Sequence, residues 1–324
     1  MTRIKRLLVT GGAGFVGQQL LPELQKHWPQ ASLHATARQV ADGLDEQGVC
    51  WHSLDLRQPQ AVTNCLAQIQ PDTVIHLAAQ ANVGQSFAQE QTTWDINLQG
   101  SLNLYAALKA TTPQARLLHI SSADVYGASF KSGTPLDETS LLQPLNPYAA
   151  SKAAADLAAG VLAATSSLHV IRARPFNHTG PGQAESFVLP AFAAQIARIE
   201  AGQQTTLQVG NLDAMRDFMH VQDLVQAYIA LLNHAEQITS GEVFNICSGQ
   251  AVSIQSLLDQ LLSQARQPIQ PVQDPQRLRP SDIHQVSGSY AKLARLTGWS
   301  PQTTQAQLLQ DLLQSWRHKI TPNL

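Results

Sequence analysis

The first half of the chain alternates between short apolar runs and longer segments in which apolar residues recur with helical periodicity. The apolar runs predict buried strands at residues 4–10, 32–36, 50–54, 73–77 and 117–120. The periodic segments predict helices at residues 18–25, 58–68 and 94–109. Strands that alternate with helices are typical of an α/β fold with a parallel, doubly wound sheet, which binds ligands beyond the carboxyl ends of its strands.

The pattern changes after a sixth predicted strand at residues 169–176. Further helices are predicted at residues 187–199, 222–232 and 304–317, and further strands at 206–209 and 243–247. The segment 267–280 is rich in Pro and Gln, as disordered linkers often are. Arg277, Arg279 and Asp282 nevertheless make a focused charge cluster here, so we expect a strand and loop of a smaller C-terminal α/β domain.

A glycine-rich turn joins the first predicted strand to the first predicted helix. Gly11, Gly14 and Gly17 have the spacing Gly-x-x-Gly-x-x-Gly, with Phe15 and Val16 between the last two. Glycines permit a tight turn and allow backbone N–H groups at a helix N-terminus to approach a pyrophosphate. Three glycines alone could form an ordinary loop, but their place between a strand and a helix predicts a dinucleotide-binding site.

The end of the second strand bears on the choice of dinucleotide. An NAD-binding fold usually has an acidic residue there to hold the ribose 2′-OH, and this chain has none. Arg38 instead lies where it would meet a 2′-phosphate, which favours NADPH, with NADH still possible; the alternative is a solvated surface arginine. Asp55, after the third strand, either accepts a hydrogen bond from the adenine amine or caps the following helix.

Two further groups of residues follow strand ends. Ala78 and Ala79 come directly after the fourth strand, where small side chains allow a cofactor to pass closely. Ser122 follows the fifth strand and should lie at the same edge of the sheet. A serine here is also common as a turn residue, so its significance depends on what lies nearby.

Residues 146–152 contain a tyrosine and a lysine one helical turn apart. Asn146 is a good N-cap and Pro147 fits the first helical position, so Tyr148 should lie in the first turn with Lys152 on the same face. An ammonium, the positive end of the helix and a cationic nicotinamide ring could together lower the phenol pKa from ~10 to ~7, which takes roughly 4 kcal/mol. Taken alone, the pair could arise by chance.

Taken together, these observations define a predicted cofactor site. Its residues are Gly11, Gly14, Phe15, Val16, Gly17, Arg38, Asp55, Leu56, Leu77, Ala78, Ala79, Asn97, Tyr148 and Lys152.

Composition excludes several other functions. The chain has 324 residues, a formal net charge of −2 and no basic block, which argues against nucleic acid as a partner. No apolar run approaches the length of a membrane span, and no signal peptide is evident at the N-terminus. Cys50, Cys65 and Cys247 are odd in number and lack metal-ligand spacing, so we expect free thiols of a cytoplasmic protein and no metal site.

The glycine turn, Ser122 and Tyr148-x-x-x-Lys152, in this order, resemble the extended short-chain dehydrogenase/reductases. The similarity runs almost end to end and includes the stretches at residues 216–218 and 296–301. It implies NAD(P)-dependent chemistry on a nucleotide-activated sugar, with Ser122, Tyr148 and Lys152 as the catalytic trio, and a homodimer formed through helices. It also implies an NADP-binding Rossmann domain at 1–176 plus 215–248, and a nucleotide-sugar-binding domain at 177–214 and 249–324.

Residues 174–183, Arg-Pro-Phe-Asn-His-Thr-Gly-Pro-Gly-Gln, look like a signature of the GDP-6-deoxy-D-lyxo-4-hexulose reductases. These enzymes reduce the 4-keto group of GDP-4-dehydro-6-deoxy-D-mannose to give GDP-D-rhamnose. In the mechanism that this resemblance implies, Tyr148 donates a proton to the carbonyl oxygen, Ser122 hydrogen-bonds it, and Lys152 lowers the tyrosine pKa. The implied substrate-binding residues are Ser86, Asp124, Asn177, Phe187, Val188, Arg216, Arg279 and Asp282, the two arginines for the diphosphate.

Two other functions remain open at this point. A GDP-mannose 4,6-dehydratase shares the fold and nucleotide, but its relatives carry a Glu directly before the Val/Leu-Tyr-Gly motif, or an Asp-Glu pair. Here Ala123 and Asp124 stand at the two positions and leave one shorter carboxylate. The other alternative is a non-catalytic NADP-binding regulator, against which the intact trio argues.

Overall fold

The computed structural model describes residues 4–277 and 283–321. The strands in this part of the chain are β1 (Arg6–Thr10), β2 (Ser32–Ala37), β3 (Gly43–Leu44), β4 (Val49–Ser53), β5 (Thr73–His76), β6 (Arg116–Ile120), β7 (His169–Pro175), β8 (Asn177–Thr179), β9 (Leu207–Val209), β10 (Met215–His220), β11 (Val243–Ile246), β12 (Ala251–Ser253) and β13 (Pro271–Gln273). The helices are α1 (Phe15–His27), α2 (Pro59–Ile69), α3 (Val83–Ala88), α4 (Glu90–Trp94), α5 (Gly100–Thr111), α6 (Pro147–Thr165), α7 (Val188–Glu200), α8 (Val221–Asn233), α9 (Ile254–Ser263), α10 (Ala291–Thr297) and α11 (Gln305–Ile320).

The main sheet has eight strands in the order β11-β7-β6-β5-β1-β2-β4-β3. All neighbouring pairs are parallel except β3 with β4, so the predicted doubly wound α/β fold is confirmed. The chain runs from β1 outward to β4 and then returns to place β5 on the other side of β1. This reversal opens a crevice beyond the carboxyl ends of β1 and β5, where such sheets bind ligands.

Successive apolar side chains of β1 point to opposite faces of the sheet, and both faces are buried. Leu7 and Val9 belong to a core that also contains apolar residues of α1 and α8. Leu8 points to the opposite face and joins a second core with residues of α2, α5 and α6. This alternation is the expected consequence of strand geometry, since successive side chains point to opposite faces.

A smaller layer lies beyond the main sheet. It comprises the three-stranded sheet β12-β10-β8 and the pair β13-β9. Helices α7, α9 and α11 enclose a third core between them, to which they contribute Ala193, Leu257 and Leu309 respectively, among other apolar residues. The strand β10 belongs to this layer, while β11 returns to the main sheet. The two-domain boundaries drawn from the sequence stay a prediction.

Most predicted elements appear within a few residues of their expected bounds. The strands β3, β8, β10 and β12 and the helices α3, α9 and α10 were not predicted from the sequence. The helix expected at 94–109 is instead α4, a π-helical turn at Asp95–Gln99 and then α5. Arg279 and Asp282 lie outside the described residues. Within the described part, no helix is both long enough and apolar enough to cross a membrane.

Candidate active site

A cavity of about 680 Å³ lies at the carboxyl ends of β1, β5 and β6. It runs from the glycine turn to the start of α6 and on to the loop before α7. The predicted site residues that line it are Gly11, Gly14, Phe15, Val16, Gly17, Leu77, Ala79, Ser122, Asp124, Tyr148, Lys152, Asn177, Phe187 and Val188.

The glycine turn forms one end of this cavity. Gly11 has φ +73°, and a Cβ there would lie 2.8 Å from the backbone of Ala78. A Cβ on Gly17 would lie 2.3 Å from the carbonyl oxygen of Gly12, so the turn closes only without side chains at these positions. Helix α1 begins at Phe15, and the first N–H groups of a helix have no acceptor within the helix. The turn therefore fits the diphosphate of a dinucleotide.

Tyr148 lies where the sequence predicts it, in the first turn of α6. The Asn146 side chain caps this helix by accepting a hydrogen bond from the Ala149 amide at 2.8 Å. Ser122 follows β6, and its hydroxyl oxygen accepts a hydrogen bond from the Asp124 amide at 3.2 Å. Tyr148, Ser122 and Asp124 all line the cavity, so two hydroxyl groups and one carboxyl group share this end of the site.

The protein residues by themselves raise the pKa of Tyr148, and the expected lowering, which includes a cationic nicotinamide ring, stays a prediction. Burial raises the pKa of Tyr148, the Asp124 charge adds to this rise, and a hydrogen bond with Ser122 only partly opposes it. Lys152 directs its ammonium elsewhere: its Nζ donates to the Ile120 carbonyl at 2.5 Å. The phenol therefore keeps its proton at neutral pH, which is the form that a general acid requires.

Lys152 is 5% exposed and sits beneath the carboxyl end of β6. Burial lowers its pKa to about 8, while Asp156, one turn further along α6, acts in the opposite direction. The pKa of its ammonium therefore lies below that of an exposed lysine.

Asn97 and Ser86 are buried near the cavity but do not line it. The Asn97 side chain accepts from the Gln80 amide at 2.7 Å and donates to the Gln80 carbonyl at 3.1 Å. It also donates to the Ser151 hydroxyl at 2.9 Å, so it joins the segment after β5 to α6. The Ser86 hydroxyl donates to the Val83 carbonyl at 2.7 Å, which occupies it within α3.

The adenosine end of the predicted site is more open. Arg38 is exposed at the end of β2, and its charge acts on Asp55. The Asp55 carboxylate accepts from the Arg57 guanidinium at 2.5 Å, which lowers the pKa of Asp55. The alternative that Asp55 caps the next helix is wrong, because the N-cap of α2 is Gln58. Leu56 is a buried core residue that packs behind this end.

Arg216 lies on β10, outside the cavity lining. Its guanidinium donates to the Met215 carbonyl at 2.8 Å and to the carbonyls of His284 and Ile283 at 3.3 and 3.4 Å. Burial lowers its pKa, and the Asp124 charge opposes this. The guanidinium therefore lies at the seam between β10 and the segment that follows residue 282.

Sequence reasoning missed several residues at the site. His178 lines the cavity, and its ring lies parallel to that of Phe15, with centroids 6.2 Å apart. Tyr228 of α8 also lines it. His178 follows Asn177 within the signature stretch 174–183, which was the available signal, whereas Tyr228 lies on a helix that carries no predicted site residue.

The doubly wound sheet, the glycine turn and the cavity that joins it to Ser122, Tyr148 and Lys152 define an extended short-chain dehydrogenase/reductase. The chain belongs to this class and, within it, to the GDP-mannose 4,6 dehydratase family, whose model matches residues 8–312.

Known relatives agree with this placement. The chain is 41% identical over 318 residues to a GDP-6-deoxy-D-mannose reductase of Pseudomonas aeruginosa, covering 98% of each chain. It is 26% identical over 294 residues to a GDP-6-deoxy-D-talose 4-dehydrogenase of Aggregatibacter actinomycetemcomitans, covering 90% of this chain and 91% of that protein. Among solved structures, RMD from Pseudomonas aeruginosa complexed with NADPH has a TM-score of 0.83 and 38% identity, covering 97% of this chain and 99% of that one.

Proposed function

We propose that this protein uses NADPH to reduce the 4-keto group of GDP-4-dehydro-6-deoxy-D-mannose, giving GDP-D-rhamnose. The observation that carries the proposal is the continuous cavity that joins the glycine turn to Ser122 and Tyr148. The substrate assignment rests on the 41% identity with the GDP-6-deoxy-D-mannose reductase.

The residues of the trio have distinct roles in this reaction. NADPH, when bound, supplies the hydride for the sugar C4 carbon. Tyr148 donates its phenolic proton to the carbonyl oxygen, on which negative charge develops. The Ser122 hydroxyl donates a hydrogen bond to the same oxygen and stabilises that charge. Lys152, held at the Ile120 carbonyl, lies near enough to the cavity to bind the ribose next to the nicotinamide.

The direct test is NADPH oxidation by the purified protein with the GDP-linked 4-keto-6-deoxy sugar. We expect one NADPH consumed for each ketone, and NMR of the product should give the stereochemistry of D-rhamnose at C4. A protein that binds NADPH but turns over no keto-sugar would instead be a non-catalytic regulator. A talose configuration at C4 would keep the reaction class and change the product.

Arg38 is expected to set the preference for NADPH. Its exposed place directly after β2, where the sequence has no acidic residue to hold a ribose 2′-OH, supports contact with the 2′-phosphate. Charge-assisted hydrogen bonds contribute about 1.5–3 kcal/mol, so Arg38→Ala should weaken NADPH binding by about tenfold or more. Affinity for NADH should hardly change.

Titration of both cofactors, with the exposed Arg295→Ala as a matched control, checks this expectation. Equal losses for NADPH and NADH, or a wild-type preference for NADH, would contradict the role of Arg38.

Arg216 and Arg279 are proposed to bind the diphosphate of the sugar nucleotide. For Arg216, partial desolvation beside Asp124 supports a role at the substrate end of the site. We expect Arg216→Ala to raise the substrate KM about tenfold or more, since charge-assisted hydrogen bonds are lost. NADPH affinity should stay the same.

Steady-state kinetics with each substrate varied in turn tests this prediction. Arg216→Lys keeps the positive charge but loses the guanidinium contacts with residues 283–284. Comparison with Arg216→Ala therefore separates the effect of the charge from the effect of these contacts. A normal KM in Arg216→Ala would remove this arginine from the substrate site.

A homodimer is the assembly that we propose. Two adjacent helices, α5 and α6, expose apolar side chains: Leu102 is 37% exposed, Leu157 58% and Val161 62%. Exposed apolar side chains on two helices that pack together support pairing with a second copy through helices. Analytical ultracentrifugation tests this, and a monomer at every concentration would contradict it.

The cytoplasm is the proposed location. All three cysteines are free thiols, as expected in a reducing compartment. Cell fractionation followed by immunodetection tests this placement, and recovery outside the cytoplasmic fraction would contradict it.

A further inference from the structure

A cluster of potential metal ligands lies at the far edge of the main sheet. The ligand atoms of His34, Cys50 and His52 all lie within 4.8 Å of one another. His34 on β2 is the register partner of Cys50 on β4, and His52 is two residues beyond Cys50. Residues two apart on a strand point to the same face, so all three side chains share one face of the sheet. None of them lines the active-site cavity.

Hydrogen bonds orient the two imidazole rings. Nδ1 of His34 lies 3.0 Å from Nε2 of His52, and Nε2 of His34 lies 3.2 Å from the Ser32 hydroxyl. Histidines that bind metals usually donate their other ring N–H to an oxygen acceptor, which fixes the tautomer. In the tautomer in which Nε2 of His34 donates its proton to the Ser32 hydroxyl, Nδ1 presents a lone pair toward His52 and Cys50.

All three residues of the cluster are partly exposed, so an ion can reach them from solvent.

We propose that His34, Cys50 and His52 bind a zinc ion, through two imidazole nitrogens and one thiolate. This ligand set is among those that Zn²⁺ prefers, with water at the fourth position. On binding, Cys50 releases its thiol proton and His52 carries its ring proton on Nδ1, so that Nε2 faces the ion. The sequence offered no such indication, because His34 comes from a different strand and completes no recognised spacing.

Thiol protection in the unmodified protein is the first test. After treatment with a chelator, the protein is alkylated with iodoacetamide with and without Zn²⁺, and the labelled peptides are quantified by mass spectrometry. A free Zn²⁺ concentration about ten times the dissociation constant leaves about a tenth of the sites open, so labelling of Cys50 should slow about tenfold. Unchanged labelling of Cys50 at saturating Zn²⁺ would overturn the proposal.

Variants then test the ligand set. Cobalt binding should give the charge-transfer absorption of a cobalt–thiolate bond, and Cys50→Ser should abolish it. Cys50→Ser and His52→Gln should each weaken Zn²⁺ binding by more than about 100-fold, beyond the loss typical of removing a residue that only supports a ligand. His27→Gln, a matched control outside the cluster, should bind as the wild type does. Zn²⁺ binding that survives both variants, or a cobalt spectrum without a thiolate band, would overturn the site.

Discussion

Replacing Tyr148 by Phe should lower turnover by about 10²–10⁴-fold, the range that general acid catalysis usually contributes. Phe keeps the ring in the first turn of α6 but has no proton to give the carbonyl oxygen. Burial raises the pKa of Tyr148, so the wild-type phenol holds the proton that Phe lacks. Affinity for NADPH and the fold should both be retained.

Turnover at saturating substrate is the measurement, with circular dichroism to check the fold. Tyr290→Phe is a matched control, since Tyr290 packs against Trp299 and does not line the cavity. A loss smaller than about tenfold in Tyr148→Phe would remove the tyrosine from the role of general acid.

Replacing Asp156 by Asn should lower the free energy of unfolding by about 3–5 kcal/mol, the usual cost of removing one partner from a buried ion pair. The Asp156 carboxylate accepts from Arg174 Nε and from Arg172 Nη1, both at 2.8 Å. Its side chain is fully buried, so Asn would leave two guanidinium groups without their counter-charge. Because Asp156 lies one turn beyond Lys152, the variant should also lower the pKa of Lys152 further.

The pH dependence of stability gives a second readout for Asp156. Burial alone would raise the pKa of this carboxyl group, but the hydrogen bonds and charge of Arg174 outweigh burial and lower the pKa to about 2. A group with a depressed pKa stabilises the folded state above its unfolded pKa of ~3.9, and this contribution is lost as the pH falls toward about 2. Asp156→Asn should lack that part of the acid-dependent decline.

Urea unfolding at several pH values compares the variant with the exposed Asp259→Asn. Equal stability of the two variants at neutral pH would show that the buried pair contributes little to the fold.

The features that could be predicted from the sequence are local ones. The glycine turn and the Asn146 cap each depend on a few consecutive residues, and their conformations follow from backbone geometry and short hydrogen bonds. The positions of Tyr148 and Lys152 on one helix face follow from the period of the helix.

The electrostatics of the site could not be predicted in this way. The pKa of Tyr148 depends on how much protein surrounds the phenol, and the bond from Lys152 to Ile120 joins a helix to a distant strand. Arg216 illustrates the same limit, because its acceptors at residues 283–284 lie far along the chain from β10. Long-range packing sets these charges and contacts, and no short motif encodes it.

We conclude that this chain is a reductase and not the dehydratase after which its family is named. A dehydratase returns its hydride to the same sugar and needs no added NADPH, whereas a reductase consumes one NADPH for each ketone. Dehydratases carry acidic residues at the two positions before the Val-Tyr-Gly motif, where this chain has Ala123 and Asp124. Only Asp124 therefore offers a carboxyl group, and burial raises the pKa of that group. We therefore expect at most a trace of dehydration.

The most direct measurement incubates the pure protein with GDP-mannose in one reaction and with the GDP-linked 4-keto-6-deoxy sugar and NADPH in another. We expect stoichiometric NADPH oxidation in the second reaction and little or no 4-keto product in the first. Formation of the 4-keto sugar from GDP-mannose at a rate that matches ketone reduction would contradict this expectation.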